Sequence, residues 1–309
     1  MRGLKILGSL VRILRFLCVP RKLICGNLED SLRYFFNPFE CMQGVLVYLT
    51  GNYGIGGELI AQRLFKILSM RSRVVIDIGA HYGFYTLIAA KYCKGVVYAF
   101  EPSMDNFKIL KRNVEENSLN NVKLYRIALG DQCLEALLAI PKHGMSGENT
   151  LTNPKKALKS EKVLVKRFDD IALSEGLKSV DLVKIDVEGF ELRVLKGFGD
   201  YLSKANSIIC EIHPRMMLRI GDNVSDIYKL LMNHGFRIYQ LSYDKPHLKR
   251  IPNSINVRHH ILALRDDFAD INELNEILKE CRITITLRRD YMSKILQSLI
   301  LYVFGMREN

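Results

Sequence analysis

The stretch RVVIDIGAHYGFYTLIAAK, residues 73–91, decides the fold of this 309-residue chain. It opens with a run of β-branched residues that is typical of a buried strand. A turn of small residues follows, with Gly79, Ala80 and Gly83, and the apolar spacing after the turn is helical. A strand, a tight turn and a helix in this order predict the first unit of a Rossmann-like α/β sheet, with a nucleotide-type ligand at the turn.

The spacing of the two glycines separates two kinds of nucleotide site. A turn that binds a pyrophosphate usually reads G-x-G-x-x-G, whereas Asp77, Gly79 and Gly83 form the pattern D-x-G-x-x-x-G. This pattern resembles motif I of S-adenosylmethionine-dependent methyltransferases, although any tight turn of an α/β protein is an alternative. Because glycine has no Cβ atom, we expect a ligand to lie against the backbone at both glycines.

Acidic residues follow the next two strands. Glu101 directly follows the strand 96–100 and comes 24 residues after Asp77. It is placed to accept hydrogen bonds from both ribose hydroxyl groups of an adenosine ligand. Its alternative role is to interact with the dipole of the next helix. Asp131 follows the strand 122–127, where it either accepts a hydrogen bond from an adenine amine or holds the turn. The sequence does not separate these two roles.

A second informative stretch is VDLVKIDVEGFE, residues 180–191, which predicts a strand followed by Asp186 and Glu188. The strand 207–212 ends at His213 in the same way. Because ligands of open α/β sheets bind beyond the carboxyl ends of the strands, we expect these three side chains beside the glycine turn. Asp186 or Glu188 is the candidate for binding an acceptor, and His213, which titrates near neutral pH, for assisting deprotonation of a hydroxyl group. A buried structural network is the alternative, and we predict no metal site.

Four segments together resemble the FkbM-type methyltransferases: DIGAHYGFYT at 77–86, FEP at 100–102, KIDVEGFE at 184–191 and EIHP at 211–214. The resemblance covers about residues 73–265. It implies a class I methyltransferase fold, with a mostly parallel seven-stranded sheet and a C-terminal antiparallel hairpin. It also implies S-adenosylmethionine as the cofactor and O-methylation of a hydroxyl group on a sugar, glycan, lipid or related small molecule.

The resemblance assigns the glycine turn to the cofactor, Glu101 to its ribose, and Asp186 and Glu188 to the reaction centre. The candidate cofactor-binding residues are therefore Asp77, Gly79, Ala80, Gly83, Glu101 and Asp131. The candidate catalytic residues are Asp186, Glu188 and His213.

Two other functions fit part of the sequence. A nucleic-acid methyltransferase would suit the net charge of +12, but the usual N/D-P-P-Y/F tetrapeptide after the fourth strand is replaced by DVEG at 186–189. A cofactor-binding scaffold without catalysis would keep the glycine turn and Glu101, yet tolerate loss of Asp186 and His213.

The polar stretch 143–162 is a candidate mobile lid over a substrate.

The positive charge is concentrated at the two ends of the chain. Residues 1–33 hold seven Lys or Arg and two acids, and residues 279–309 hold six and three, which together give +8 of the net +12. This distribution argues against a nucleic-acid groove in the α/β core.

The seven cysteines are scattered and include no C-x-x-C pair, so we expect reduced thiols and a cytoplasmic protein.

The terminal segments lie outside the resemblance. We predict a helical N-terminal extension over 1–72 and a helical C-terminal extension over 266–309, each with a basic amphipathic helix, at 1–20 and 291–304. Charged residues interrupt the apolar run of the first helix, so it fits neither a membrane span nor a signal peptide. Each helix either binds an anionic membrane surface peripherally or packs on the protein's own core.

Overall fold

The computed structural model describes residues 23–28, 31–38, 40–51, 57–141, 147, 149–151, 157–241, 247–251 and 258–280. The strands are β1 (Ile24–Asn27), β2 (Arg33–Phe36), β3 (Val74–Ile78), β4 (Val96–Phe100), β5 (Val122–Tyr125), β6 (Ala128–Leu129), β7 (Leu134–Pro141), β8 (Ala157–Lys166), β9 (Val180–Ile185), β10 (Ala205–Ile212), β11 (Arg237–Leu241), β12 (Leu248–Arg250) and β13 (His259–Leu264). The α-helices are α1 (Met42–Thr50), α2 (Gly57–Arg71), α3 (Phe84–Tyr92), α4 (Met104–Glu116), α5 (Phe168–Ser174), α6 (Glu191–Lys196), α7 (Pro214–Met217), α8 (Val224–Asn233) and α9 (Ile271–Glu280).

The described residues form a central sheet of eight strands in the order β12-β11-β13-β10-β9-β3-β4-β5. The five strands from β10 to β5 are parallel, and β13 is antiparallel to both β10 and β11. The predicted mostly parallel sheet with its C-terminal antiparallel pair is therefore confirmed. The eighth strand, β12, lies inside a stretch that the sequence indicated as a loop, and it pairs only with β11 at the edge of the sheet.

Apolar side chains are buried on both faces of this sheet. In β3, Val75 belongs to the cluster on one face, whereas Ile76 and Ile78 belong to the cluster on the other. This alternation is the period of two that a strand imposes. Helices α2, α3 and α4 cover the first face, and α5, α6 and α8 cover the second, so the carboxyl edge of the parallel strands remains the place where polar side chains gather.

A second, smaller sheet follows β5 in the chain. It has three strands, in the order β6-β8-β7. Its strand β8 begins at Ala157, inside the stretch 143–162 that the sequence indicated as a lid, and it pairs with β7 along nearly its whole length. Part of the predicted loop 143–162 is therefore strand. A short bridge joins Thr150 to Ala139 of β7, which brings the segment 149–151 back against the small sheet.

The segment before residue 73 differs from the helical extension that the sequence predicted. It contains the antiparallel pair β1 and β2 as well as helices α1 and α2. The pair is held by helix α4, where the buried Asn113 accepts from the Phe35 backbone N–H at 2.7 Å and donates to the Phe35 carbonyl at 2.9 Å. Four-residue strands stabilised by such a distant side chain give little local signal in the sequence.

The two predicted amphipathic helices at 1–20 and 291–304 lie outside the described residues and stay predictions, as do the extension boundaries at 72 and 266. Helix α9 occupies the position where the sequence predicted a short amphipathic helix. Among the described helices, we find none with the length and apolar composition needed to cross a membrane.

Candidate active site

The glycine turn after β3 packs tightly against the neighbouring chain. Gly79 has φ +78°, and a Cβ atom added there would lie 1.8 Å from the carbonyl oxygen of Asp186. Gly83 has φ +90°, and its Cβ would lie 2.4 Å from Cδ1 of Leu110. The missing Cβ atoms at both glycines therefore make room for the chain itself. Gly79 also lines the cavity described below, whereas Gly83 does not.

Asp77 and Ala80 hold the turn rather than face the cavity. The carboxylate of Asp77 is almost fully buried and accepts a hydrogen bond from Thr86 Oγ1 at 2.5 Å. Burial raises the pKa of Asp77 to about 6. The backbone N–H groups of Gly79 and Ala80 both donate to the carbonyl of Phe100 at 3.0 Å, which fixes the turn to the end of β4.

A cavity opens at this edge of the sheet and holds about 550 Å³ of empty space, including space that is open to solvent. One part of its wall is polar and comes from the ends of parallel strands, namely from Gly79, His81, Glu101 and Asp186. Another part is apolar and is formed by Ile127, Leu129, Leu138 and Phe190. A ligand with both a polar and a flat apolar portion fits such a wall.

Glu101 presents a buried carboxylate to the cavity. One oxygen accepts from the His81 backbone N–H at 2.8 Å, and the other accepts from the backbone N–H of Ser103 at 2.9 Å and from Asn106 Nδ2 at 3.3 Å. Burial raises its pKa to about 7. Glu101 thus contacts the first turn of α4, as its alternative role required, and still lines the cavity where a ribose hydroxyl group could donate to it.

His81 lines the cavity, although its sequence position indicated no role for it. Its side chain is buried and stacks on the ring of Tyr82 at 4.0 Å between centroids. Burial lowers its pKa to about 3, so the ring is neutral at physiological pH. A neutral imidazole beside Glu101 adds no charge to this end of the cavity.

The structure does not bring Asp131 to the cavity. Its carboxylate lies 3.1 Å from Arg193 Nη1, and its backbone carbonyl accepts from Arg167 Nη1 at 2.9 Å. Arg193 is held in turn by Asp222 at 2.8 Å. Of the two roles that the sequence left open for Asp131, these contacts match the one that holds the turn.

Asp186, Glu188 and His213 come together beside the glycine turn, as the strand ends predicted. Glu188 Oε2 lies 3.3 Å from His213 Nε2, and His213 Nδ1 lies 2.8 Å from Oε1 of Glu191. Asp186 lines the cavity, and its carboxylate lies 3.6 Å from the ammonium group of the buried Lys184. Glu188 reaches this position with a left-handed backbone, at φ +49°, followed by a glycine at φ +104°.

The charges around His213 bear directly on the proton-accepting role predicted for it. Burial alone would lower its pKa, but the hydrogen bond to Glu191 and the charge of Glu188 outweigh burial and raise the pKa to about 9. His213 is therefore a cation at neutral pH and is poorly suited to accept a proton. Glu188, in contrast, has its pKa raised by burial to about 7.

Several members of this buried network were missed by the sequence reasoning. Arg258 Nε donates to Glu211 at 2.5 Å, His260 lies 3.1 Å from Glu58, and the Tyr85 hydroxyl donates to Glu58 at 2.6 Å. A signal for Arg258 and His260 was present. Because β13 runs antiparallel to its neighbours, its first residues lie at the same edge as the carboxyl ends of the parallel strands.

Two groups of side chains in the described region have atoms spaced closely enough to surround an ion: Asp186, Glu211 and His213, and Glu58, Glu211 and His260. The carboxylates raise the pKa values of both histidines, so binding of a metal ion by either group would release a proton. Lys184 and Arg258 already supply positive charge to the same carboxylates. The carboxylates and the positively charged side chains therefore form a network of ion pairs.

The cavity residues fit S-adenosylmethionine in chemical type. Glu101 offers acceptors for ribose hydroxyl groups, the apolar wall suits a purine, and Asp186 provides negative charge in the same cavity. Asn149 adds a buried Oδ1 atom that has no hydrogen-bond partner among the described residues. Each of these groups is complementary to a different part of that molecule.

Several known proteins with similar sequences are named as methyltransferases. The family model described as "Methyltransferase FkbM domain" matches residues 77–238. "Methyltransferase 1" from Beauveria bassiana is 33% identical over 148 residues, with 41% of this chain and 58% of that protein covered. "Hexuronic acid methyltransferase AglP" from Haloferax volcanii is 30% identical over 181 residues, covering 57% of this chain and 68% of that protein. "31-O-demethyl-FK506 methyltransferase FkbM" from Streptomyces tacrolimicus is 26% identical over 195 residues, covering 53% and 73%.

Proposed function

Because this chain belongs to the FkbM family of S-adenosylmethionine-dependent methyltransferases, we propose that it methylates a hydroxyl group on a sugar, glycan, lipid or related small molecule. Two relatives support this class of acceptor by their names, which state a hexuronic acid and 31-O-demethyl-FK506. The single observation that carries the proposal is the position of Asp186, which lines the nucleotide cavity and belongs to the buried acidic network.

We assign the cofactor to the cavity between the glycine turn and the apolar wall. Glu101 binds the ribose hydroxyl groups, and Gly79 and His81 form the floor beside it. The turn is held in shape by Asp77, Ala80 and Gly83, which therefore affect cofactor binding indirectly. When bound, S-adenosylmethionine supplies an electrophilic methyl group, and the protein supplies orientation and electrostatics.

We assign proton transfer to Glu188 and orientation of the acceptor to Asp186. A hydroxyl group is a weak nucleophile until its proton leaves, so a positioned carboxylate accelerates the reaction. Burial raises the pKa of Glu188 to about 7, the range in which a general base works best near neutral pH. Methyl transfer also needs the nucleophile in line with the methyl group, and the carboxylate of Asp186 can hold an acceptor hydroxyl group in that position.

His213 then acts as a positioning residue. Its cationic ring lies between Glu188, at 3.3 Å, and Glu191, at 2.8 Å. Glu191 is itself fixed, because its Oε1 accepts from the Gly189 backbone N–H at 2.8 Å. This chain of contacts holds the carboxylate of Glu188 in one orientation and partly offsets the rise in its pKa.

Transfer of label from methyl-labelled S-adenosylmethionine to cell fractions tests the proposed acceptor class. Label in a hydroxyl group of a carbohydrate, lipid or small molecule supports the proposal. Label confined to RNA would support the nucleic-acid methyltransferase instead. Binding of the cofactor without transfer to any fraction would support a scaffold without catalysis.

Two variants test the assigned roles once an acceptor is known. Glu188→Gln is expected to lower kcat by about 10²–10⁴-fold and to leave the affinity for S-adenosylhomocysteine unchanged. Asp186→Asn is expected to raise KM for the acceptor. Glu135→Gln, on an exposed position of β7, is the matched control and is expected to change neither value. Full activity of Glu188→Gln would remove Glu188 from the mechanism.

We further propose that the basic terminal segments 1–20 and 288–309 bind an anionic membrane surface. Their support is the sequence alone, in which positive charge is interleaved with apolar residues. Partition of the full chain into anionic liposomes, compared with a chain lacking both segments, tests this association. Equal partition of the two chains would show that the segments bind no membrane.

A further inference from the structure

The apolar part of the cavity is suited to hold a purine, but apolar walls alone do not select adenine. Ile127, Leu129 and Phe190 provide surfaces for the faces of a flat base. Discrimination between bases needs a polar group at the edge of the ring, because a mismatched hydrogen-bonding edge leaves a buried polar atom unpaired. The question is which side chain supplies that group.

Asp131, the side chain that the sequence offered for this purpose, is engaged elsewhere. Its carboxylate lies 3.1 Å from Arg193, and it does not line the cavity. Glu101 is assigned above to the ribose hydroxyl groups, and its carboxylate is fixed in that position by the backbone of His81 and Ser103. The candidate must therefore come from another wall of the cavity.

Asn149 lines the cavity and carries a buried acceptor. Its side-chain Oδ1 is inaccessible to solvent and has no hydrogen-bond partner among the described residues. A buried, unpaired amide oxygen costs roughly 1–3 kcal/mol, and such atoms in folded proteins call for an explanation. A ligand that donates a hydrogen bond at this point would remove the penalty.

The neighbouring residue fixes Asn149 in place. Thr150 is buried, and its backbone N–H and carbonyl pair with the carbonyl and N–H of Ala139 at 3.1 and 2.9 Å. Its hydroxyl group donates to the backbone carbonyl of Glu188 at 2.7 Å. The segment is thus attached both to the small sheet and to the loop after β9, which keeps Asn149 at the cavity wall.

We propose that Asn149 recognises the adenine base of the cofactor, with its Oδ1 accepting a hydrogen bond from the exocyclic 6-amino group. The amide of asparagine is complementary to the amine edge of adenine, since it offers an acceptor to the amino group and a donor to an adjacent ring nitrogen. This inference rests on the S-adenosylmethionine site proposed above. It assigns base recognition to the segment between β7 and β8 instead of the turn after β5.

Calorimetric binding of two product nucleosides to the full chain tests the assignment. S-adenosylhomocysteine carries the 6-amino group, and S-inosylhomocysteine carries a 6-oxo group in its place. The wild type is expected to bind the adenosyl compound about tenfold more tightly, which is the worth of one buried hydrogen bond. Asn149→Ala is expected to lose this preference, because only the binding of the adenosyl compound is weakened.

Unchanged affinity of Asn149→Ala for S-inosylhomocysteine serves as the control for an intact cavity. A loss of affinity for both nucleosides by the same factor would make Asn149 a structural residue and overturn the assignment. Unaltered affinity for both would show that its side chain does not touch the base, and overturn it also. If the wild type binds neither nucleoside, the cofactor site itself is wrong, which distinguishes that failure from the failure of Asn149.

Discussion

The carbonyl oxygen of Asp186 lies where the Cβ atom of residue 79 would be if that residue were not glycine, at 1.8 Å from the ideal Cβ position. The backbone N–H of Asp186 in turn donates to the carbonyl of Ile78 at 3.0 Å. The glycine turn after β3 and the acidic loop after β9 are therefore joined by backbone contact. This contact places the cofactor cavity directly beside the network that contains Glu188 and His213.

Gly79→Ala is predicted to lower the free energy of unfolding by more than the left-handed backbone at residue 79 accounts for. Gly221→Ala is the matched control, because both glycines have φ +78° but a Cβ at Gly221 would meet nothing within 4 Å. The control variant is expected to lose about 1–2 kcal/mol from left-handed strain alone. Gly79→Ala is expected to lose at least a further ~1–3 kcal/mol from displaced backbone. Urea unfolding measures both, and equal losses would contradict the close approach.

Asp131→Asn is predicted to leave cofactor affinity unchanged. The carboxylate contacts Arg193 outside the cavity, and the pair is partly exposed, so the expected loss of stability is about 0–1 kcal/mol. The dissociation constant of S-adenosylhomocysteine, measured by calorimetry, is expected to stay within about twofold of the wild-type value. A tenfold weaker affinity with unchanged stability would instead return Asp131 to the adenine-binding role.

Ligands of open α/β sheets bind beyond the carboxyl ends of the strands. This rule explains how much of the site the sequence could predict. Glu101, Asp186 and His213 each follow a parallel strand, so their meeting beside the glycine turn followed from the order of elements. Arg258 and His260 were not predicted because they lie at the start of an antiparallel strand, and a rule based on carboxyl ends does not apply to them.

The features that the sequence did not predict depend on contacts made over long distances. The ionisation of His213 is set by Glu188, Glu191 and Asp186, whose proximity only the fold creates. Asn149 belongs to an insertion between β7 and β8, where neither periodicity nor strand order indicates which side chain reaches the cavity. The hairpin of β1 and β2 is likewise specified by Asn113, some 78 residues away from Phe35 along the chain.

His213 is predicted to make the stability of the cofactor-free protein fall as the pH rises above neutral. Its pKa in the folded state is about 9, above the ordinary value of 6.5, so the folded protein binds the extra proton. The stabilisation is complete below pH 6.5 and is lost as the pH rises through about 9. The stability difference between wild type and His213→Gln is therefore expected to be largest below pH 6.5 and to shrink towards pH 10.

Nuclear magnetic resonance of the labelled imidazole checks the cause of this shift. In the wild type, His213 is expected to titrate near pH 9. Glu191→Gln is expected to lower that pKa, because it removes the carboxylate that accepts from Nδ1 at 2.8 Å. An imidazole that titrates near its ordinary value in the wild type would show that His213 is neutral at pH 8 and would restore it as a proton acceptor.

Asn113→Ala is predicted to weaken the attachment of the N-terminal hairpin to the glycine turn. The buried amide accepts from the Phe35 N–H and donates to the carbonyls of Phe35 and Tyr82, the latter at 2.7 Å. Its removal leaves three buried backbone groups unpaired, for a loss of about 2–4 kcal/mol in the free energy of unfolding. Tyr82 lies within the turn, so the affinity for S-adenosylhomocysteine is expected to fall as well.

Asn117→Ala is the control for this prediction, because Asn117 makes the corresponding contacts with the Arg33 backbone at 2.8 and 2.7 Å near the protein surface. Water can replace those hydrogen bonds, so the expected loss of stability is below about 1 kcal/mol. Hydrogen exchange at the amides of β2 distinguishes the two variants, since only Asn113→Ala is expected to lose protection there. Equal protection in both variants would mean that the hairpin is stabilised mainly by its apolar contacts with α4 and not by this amide.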